Sequence, residues 1–113
     1  MTARLTSAML VSSLMRLVTN AGGNAAVVAK GDPGAGGIIL ICTERGVFMS
    51  LQERLLGMEG QYFWQPVGPG TTHPAADIDA YLDRRRFSDG DIWVIELDIA
   101  NAERFAAETI STI

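Results

Sequence analysis

Residues 25–42, Ala-Ala-Val-Val-Ala-Lys-Gly-Asp-Pro-Gly-Ala-Gly-Gly-Ile-Ile-Leu-Ile-Cys, decide how this chain reads. Two runs of β-branched and small apolar residues flank a connector, residues 30–37, that holds four glycines and one proline. That is the pattern of strand, tight loop and strand. Strands so close in sequence pair most simply as an antiparallel hairpin. The loop's glycines are expected at left-handed backbone positions. Asp32, ahead of Pro33, is expected to close a turn by accepting N–H bonds from its own backbone. The run resembles a phosphate cradle only superficially. A cradle leads into a helix N-terminus, whereas these glycines lead into the strand 38–42 and no Lys-Ser/Thr pair follows.

Upstream, the apolar stretch 8–18 is amphipathic at helical spacing. Leu10, Val11, Leu14, Met15, Leu17 and Val18 share one side, and Thr6, Ser12, Ser13, Arg16 and Asn20 gather opposite. Thr6 or Ser7 can cap its start, and Gly22-Gly23 can supply its stop. The stretch is too short and too interrupted to span a bilayer, no small-residue cleavage site follows it, and its polar face carries only Arg16. It reads as a core helix.

Downstream the period changes to two. Residues 25–30, 38–43, 47–52, 62–67 and 92–97 read as strands. The second is apolar on both faces, which suits a central place; Pro66 argues for an edge in the fourth. The connector 53–60 is expected to tuck Leu55 and Leu56 onto the core in one helical turn. Pro74 opens a helix over 75–86, with Asp77 and Asp79 early and Arg84, Arg85 and Arg86 late, both complementing the helix dipole. In the fifth strand Trp93, Ile95 and Leu97 share one face and Ile92, Val94 and Glu96 the other. The tail 101–110 sets Phe105, Ala106 and Ile110 at helical spacing after Asn101, a capping residue. The order α-β-β-β-β-α-β-α, without repeat or linker, predicts a single α+β domain over residues 1–113: about five mostly antiparallel strands with helices packed on one side.

The global numbers agree. A chain of 113 residues closes one hydrophobic core without a staple. With 48% hydrophobic and 19% charged residues it is a packed domain, not a disordered one. The net charge of -4 offers no long-range attraction to nucleic acid or anionic membrane. The single cysteine, Cys42, cannot form an internal disulfide and reads as a buried small hydrophobe. One thiol and no export segment fit the cytoplasm.

Two blocks carry a resemblance. Arg4-Leu5 leads into a helix ending before Ala21-Gly22, followed by Val-Val-x-Lys-Gly-Asp-Pro-x-Ala-Gly at 27–36. Then come Ala80-Tyr81-Leu82 through Arg86 and Asp89-x-Asp-Ile-Trp-Val-Ile-Glu-Leu-Asp to residue 98. Together they resemble the domain of unknown function 1491 family of short bacterial proteins, chiefly alpha-proteobacterial. The resemblance implies a fold and no mechanism.

Chemistry is sparse. His73, the sole histidine, precedes Pro74 and suits a capping or exposed role. No Gly-x-Ser-x-Gly elbow occurs, and one His with one Cys cannot build an ordinary zinc site. Asp89, Asp91 and Asp98 could hold a hard cation, but an Asp-Gly-Asp turn before a strand is ordinary turn chemistry. No catalytic residue, metal or cofactor is therefore assigned. Arg84, Arg85 and Arg86 form a basic patch that fans around a helix end; pairing with Asp89 or Asp91 is favoured over RNA binding. Trp64 and Trp93 read as core or interface residues.

A binding or assembly module is the expected function, with Lys30, Asp32, Gly34, Gly36, Trp93 and Glu96 as its candidate surface and an unidentified protein or small molecule as its partner. The alternatives are an enzyme using Lys30 with Asp32 or Glu96, and an RNA-associated module acting through Arg84–Arg86. If 25–30 or 47–52, both poor in charge, lies at a sheet edge, pairing about a two-fold axis makes a homodimer.

Overall fold

The computed structural model describes residues 5–112, with side chains described through residue 107. The elements are α1 (Ser7–Asn20), β1 (Asn24–Ala29), β2 (Ile38–Glu44), β3 (Val47–Leu56), β4 (Tyr62–Val67), α2 (Ala75–Ser88), β5 (Trp93–Asp98) and α3 (Ala102–Thr112). Their order is the expected one. α1 is capped by Thr6, whose hydroxyl accepts the N–H of Met9, and it stops at Gly22 with φ +94°. The five strands form one sheet in the order β1-β5-β2-β3-β4. β2 is central and β4, with Pro66, is an edge, as its proline requires.

The sheet corrects the expected hairpin. β1 and β2 do not pair with each other: β5 lies between them, antiparallel to β1 and parallel to β2. The reason lies in β5 itself. Trp93, Val94, Ile95 and Leu97 are all buried, on both of its faces, so this strand needs a neighbour at each side and cover above and below. The 30–37 loop is long enough to step over its start. The remaining pairs, β2–β3 and β3–β4, are antiparallel, so the sheet is mixed but mostly antiparallel.

The helices are not all on one side, a second correction. Alternation along β2 turns Ile38, Leu40 and Cys42 to one face, where with Trp93, Ile95 and Leu97 they pack under α1 and α3. Ile39, with Leu51, Ile92 and Val94, faces the other way, under Ile78 and Leu82 of α2. A central strand apolar on both faces cannot leave either one wet, and among the described residues α2 is the remaining helix that covers the second.

The connector 53–60 holds no helical turn. β3 continues to Leu56, pairing Arg54, Leu55 and Leu56 with Trp64, Phe63 and Tyr62. Its ladder with β2 ends at Glu53, so the β3–β4 hairpin projects beyond the central strands and leaves Leu56 exposed. β3 lies inside the sheet and is not an edge. In the tail, α3 buries Ala102 and Ala106, with Phe105 half-buried against the same core; the side chain of Ile110 and the residue Ile113 lie outside the described residues.

Candidate functional site

The 30–37 loop is a brace rather than a free turn. Its Pro33 and Gly34 carbonyls accept the Ala8 and Ser7 N–H groups of α1 at 2.9 and 3.0 Å. The Ser7 hydroxyl donates to the Gly36 carbonyl at 2.6 Å. The Ser7 and Ala8 amides are among those that a helix N-terminus otherwise leaves orphaned, and the Met9 amide is taken by the Thr6 hydroxyl, so these three are not open to an anion. Toward the sheet, the Asp32 N–H donates to the Asp91 carbonyl at 3.0 Å and the Trp93 N–H to the Gly37 carbonyl at 2.8 Å. The Trp93 indole donates to the Asp32 carbonyl, also at 2.8 Å. Asp32 closes the turn itself, with Oδ2 accepting the N–H groups of Gly34 at 3.1 Å and Ala35 at 2.9 Å.

The glycines serve a different end from the expected one. None of those in the loop has positive φ. A Cβ on Gly31 or Gly36 would collide with the Asp91 carbonyl oxygen, because the loop lies directly on the chain entering β5. Close backbone approach, not a left-handed conformation, makes glycine necessary there.

The candidate surface does not gather into one pocket. Lys30 is exposed at the end of β1 and forms no ion pair with Asp32. Glu96 stands opposite Ala26 in mid-strand. Asp98 lies at the far end, opposite Asn24, where its carboxylate accepts the N–H groups of Arg45 and Gly46, each at 2.8 Å. Lys30, Asp32, Glu96 and Asp98 are therefore strung along β1 and β5. Trp93 is buried in the core.

The arginines separate too. Arg85 binds Glu53 through two hydrogen bonds of 2.9 and 2.7 Å and donates to the Tyr81 hydroxyl at 2.9 Å. The hydrogen bond to Glu53 raises its already high pKa further, against the opposing effect of burial. Arg86 donates to the carbonyls of Ile92, Lys30 and Gly90 at 3.1, 3.0 and 3.2 Å, stapling the end of α2 to the loop and the β5 entry. Neither makes the expected pair with Asp89 or Asp91; Asp89 instead accepts the Asp91 N–H at 3.0 Å. Only Arg84 is left exposed. Trp64 packs in the core under α1 and α3 and Tyr62 shares its face, so α2 and its arginines lie across the sheet from both aromatics.

Sequence reasoning missed one feature. A cleft of about 310 Å³ opens between the start of α1, the Gly34–Gly37 turn and the projecting hairpin. There the Arg54 guanidinium lies over the Tyr62 ring, 3.5 Å from its centroid. Reading 53–56 as a continuation of the strand alternation would have placed both residues on that face. Cys42 is wholly buried, as expected of a small hydrophobe, and its thiol is pushed up to about 12 by burial first and by the charge of Glu103 second, against a Ser50 hydrogen bond. Such a thiol is inert as a nucleophile. Among the described residues no cluster of His, Cys, Asp and Glu is placed to hold a metal ion, and no helix is long and apolar enough to cross a membrane.

The surface that stands out is the free edge of β1. Asn24–Ala29 carries neither charge nor proline, and Val27 and Val28 are 44% and 57% exposed. A bulge at Val28 confines the regular run to 24–27.

Residues 5–107 match the family described as a protein of unknown function (DUF1491). Solved structures share the fold. The crystal structure of a DUF1491 family protein from Caulobacter crescentus CB15 is 29% identical, with a TM-score of 0.78 over 90% of this chain and 94% of that one. An NMR structure of a DUF1491 family protein from the same bacterium is 30% identical, with a TM-score of 0.74 over 92% and 94%. The solution structure of protein Atu0922 from A. tumefaciens is 32% identical, with a TM-score of 0.71 over 86% and 87%. No curated protein matches the chain.

Proposed function

The chain belongs to the DUF1491 family, and we propose that it is a small cytoplasmic binding and assembly module that works by taking up a strand at the free edge of β1. One observation carries this reading: Asn24–Ala29 is an edge strand without charge or proline. An unpaired edge offers a row of N–H and C=O groups to another strand, and proteins that do not use such an edge blunt it with charge, proline or cover. The opposite edge, β4, has Pro66.

The rival surfaces recommend themselves less. The main-chain carbonyls of the 30–37 loop are turned inward onto α1 and β5. The charges needed for proton transfer are strung along two strands, and a general base must sit within hydrogen-bond reach of its proton. Two of the three arginines are committed to internal partners.

The test is capture from a bacterial lysate on immobilised wild type and on Val28→Lys, which adds a charge at the exposed bulge. Partners held by the wild type are expected to be lost from the variant while its melting temperature stays put. An identical set of captured proteins on both would remove the β1 edge from consideration.

A further inference from the structure

We infer that the strand completing the β1 edge is β1 of a second copy of this chain, antiparallel about a two-fold axis, so that two five-stranded sheets join into one. This rests on the edge reading above and adds the identity of the partner.

A two-fold contact sets each residue near the axis beside its own copy. A charged residue there would face its own sign, and like charges opposite each other destabilise a strand pair. Asn24–Ala29 contains none, although 19% of the chain is charged. Three of its six residues are alanine, so the side chains flanking the seam on both faces are small. The flanking charges also fit. Antiparallel pairing carries Lys30, just past the end of β1, toward the partner's Asn24 end, where Asp98 stands on the adjoining strand. Each copy thus brings a cation toward the end of the other that holds Asp98, whose carboxylate also accepts the Arg45 and Gly46 N–H groups.

The helix layer adds area. α1 packs over β1 on one face only, and a two-fold axis perpendicular to the sheet keeps both α1 helices on the same side. β4 cannot serve in this way, since Pro66 lacks the N–H that continuous pairing needs.

Sedimentation velocity on the full chain is expected to show a dimer for the wild type, a monomer for Ala26→Lys, and a dimer again for Ala26→Thr, which keeps the edge neutral and favours a strand. Isotope-filtered NOEs between labelled and unlabelled wild-type copies give a reading that needs no variant: contacts should run between residues 24–29 of the two chains. A wild type that stays monomeric at the highest attainable concentration, a dimer that survives Ala26→Lys, or inter-copy contacts lying elsewhere would overturn the inference. If the wild type is monomeric while lysate capture still depends on Val28, the edge reading stands and the second copy falls. If neither association responds to β1, both fall.

Discussion

The indole N–H of Trp93 donates to the main-chain carbonyl of Asp32 across 2.8 Å, tying the first residue of β5 to the loop that leaves β1. The same loop feeds its carbonyls to the first amides of α1. A helix, a strand and a turn far apart in sequence therefore share one set of hydrogen bonds. Trp93→Phe keeps an aromatic ring in the core, deletes one bond and leaves part of the indole's volume unfilled. It is expected to lower the unfolding free energy by about 1–3 kcal/mol, from the lost bond and the unfilled part of the indole site, while the Asp32 carbonyl keeps the Gly36 N–H at 3.3 Å. Urea unfolding of the pair checks this.

Gly36 and Gly34 are close neighbours on the loop and should behave oppositely when given a methyl group. At Gly36 the new Cβ meets the Asp91 carbonyl and the Asp32 backbone, none of which can yield without opening the β5 entry. At Gly34 the nearest atom is Asp32 Oδ2 at 3.4 Å, ordinary contact. Gly36→Ala is expected to cost about 1–3 kcal/mol; Gly34→Ala should stay close to neutral. Equal effects in thermal melts would contradict the close-approach account of these glycines.

Asp32 separates turn chemistry from charge. Its Oδ2 accepts two backbone N–H groups, and an asparagine side-chain oxygen can replace it. Asp32→Asn should keep most of the stability, whereas Asp32→Ala should lose on the order of 1 kcal/mol. Small, equal losses in both, measured by denaturant unfolding, would mean that the turn stands without the carboxylate.

How the sequence announced this fold can be followed residue by residue. Period-two alternation over 92–97 assigns both faces of β5 correctly, the Thr6 cap and the Gly22 stop bound α1, and Pro66 marks an edge. These signals are local. Which strand inserts between β1 and β2 is not local: it follows from β5 being buried on both faces, and a loop of eight residues serves a tight hairpin or a step across a strand equally well. The purpose of the loop glycines was hidden for the same reason, since the Asp91 carbonyl that excludes a side chain lies 55 positions from Gly36. Arg54 and Tyr62 went unnoticed because Leu55-Leu56 suggested a helical turn, although the alternation of β3 runs on through them. Arg85 and Arg86 read as a solvated helix end because their partners, Glu53 and the loop carbonyls, are brought up only by the sheet.

Cys42 sets an alkaline limit on stability. Its pKa is raised from 9.0 to about 12, chiefly by burial. Below pH 9 the thiol is protonated in both folded and unfolded chains and contributes no pH dependence. Between pH 9 and 12 the unfolded chain releases its proton and the folded one keeps it, so stability falls as pH rises. Raising the pH from 8 to 10 should cost the wild type about 1 kcal/mol more than Cys42→Ala, which lacks the group. Denaturant unfolding under reducing conditions at both pH values gives the difference. The native thiol should also resist a disulfide reagent at pH 8.

Removing α3 connects that thiol to the tail. Ala102, Ala106 and Phe105 pack on the face that holds Cys42 and Leu40, and Glu103 accepts the Ser50 hydroxyl at 2.7 Å, which in turn accepts Gln52 Nε2 at 2.9 Å. A chain ending at Asp98 loses this cover and leaves the buried Gln52 and its half-buried partner Ser50 open to water. Full burial of a side chain the size of Phe105 contributes about 1.5–3 kcal/mol, and even its half-burial with Ala102 and Ala106 makes a lower unfolding midpoint the expected result. If the loss comes from uncovering this face, Cys42 should at the same time react at pH 8 at a rate the intact chain does not show. A lower midpoint with an inert thiol would mean that α3 stabilises the fold from elsewhere. An unchanged midpoint together with an unchanged sedimentation coefficient would mean that the tail does not dock at all.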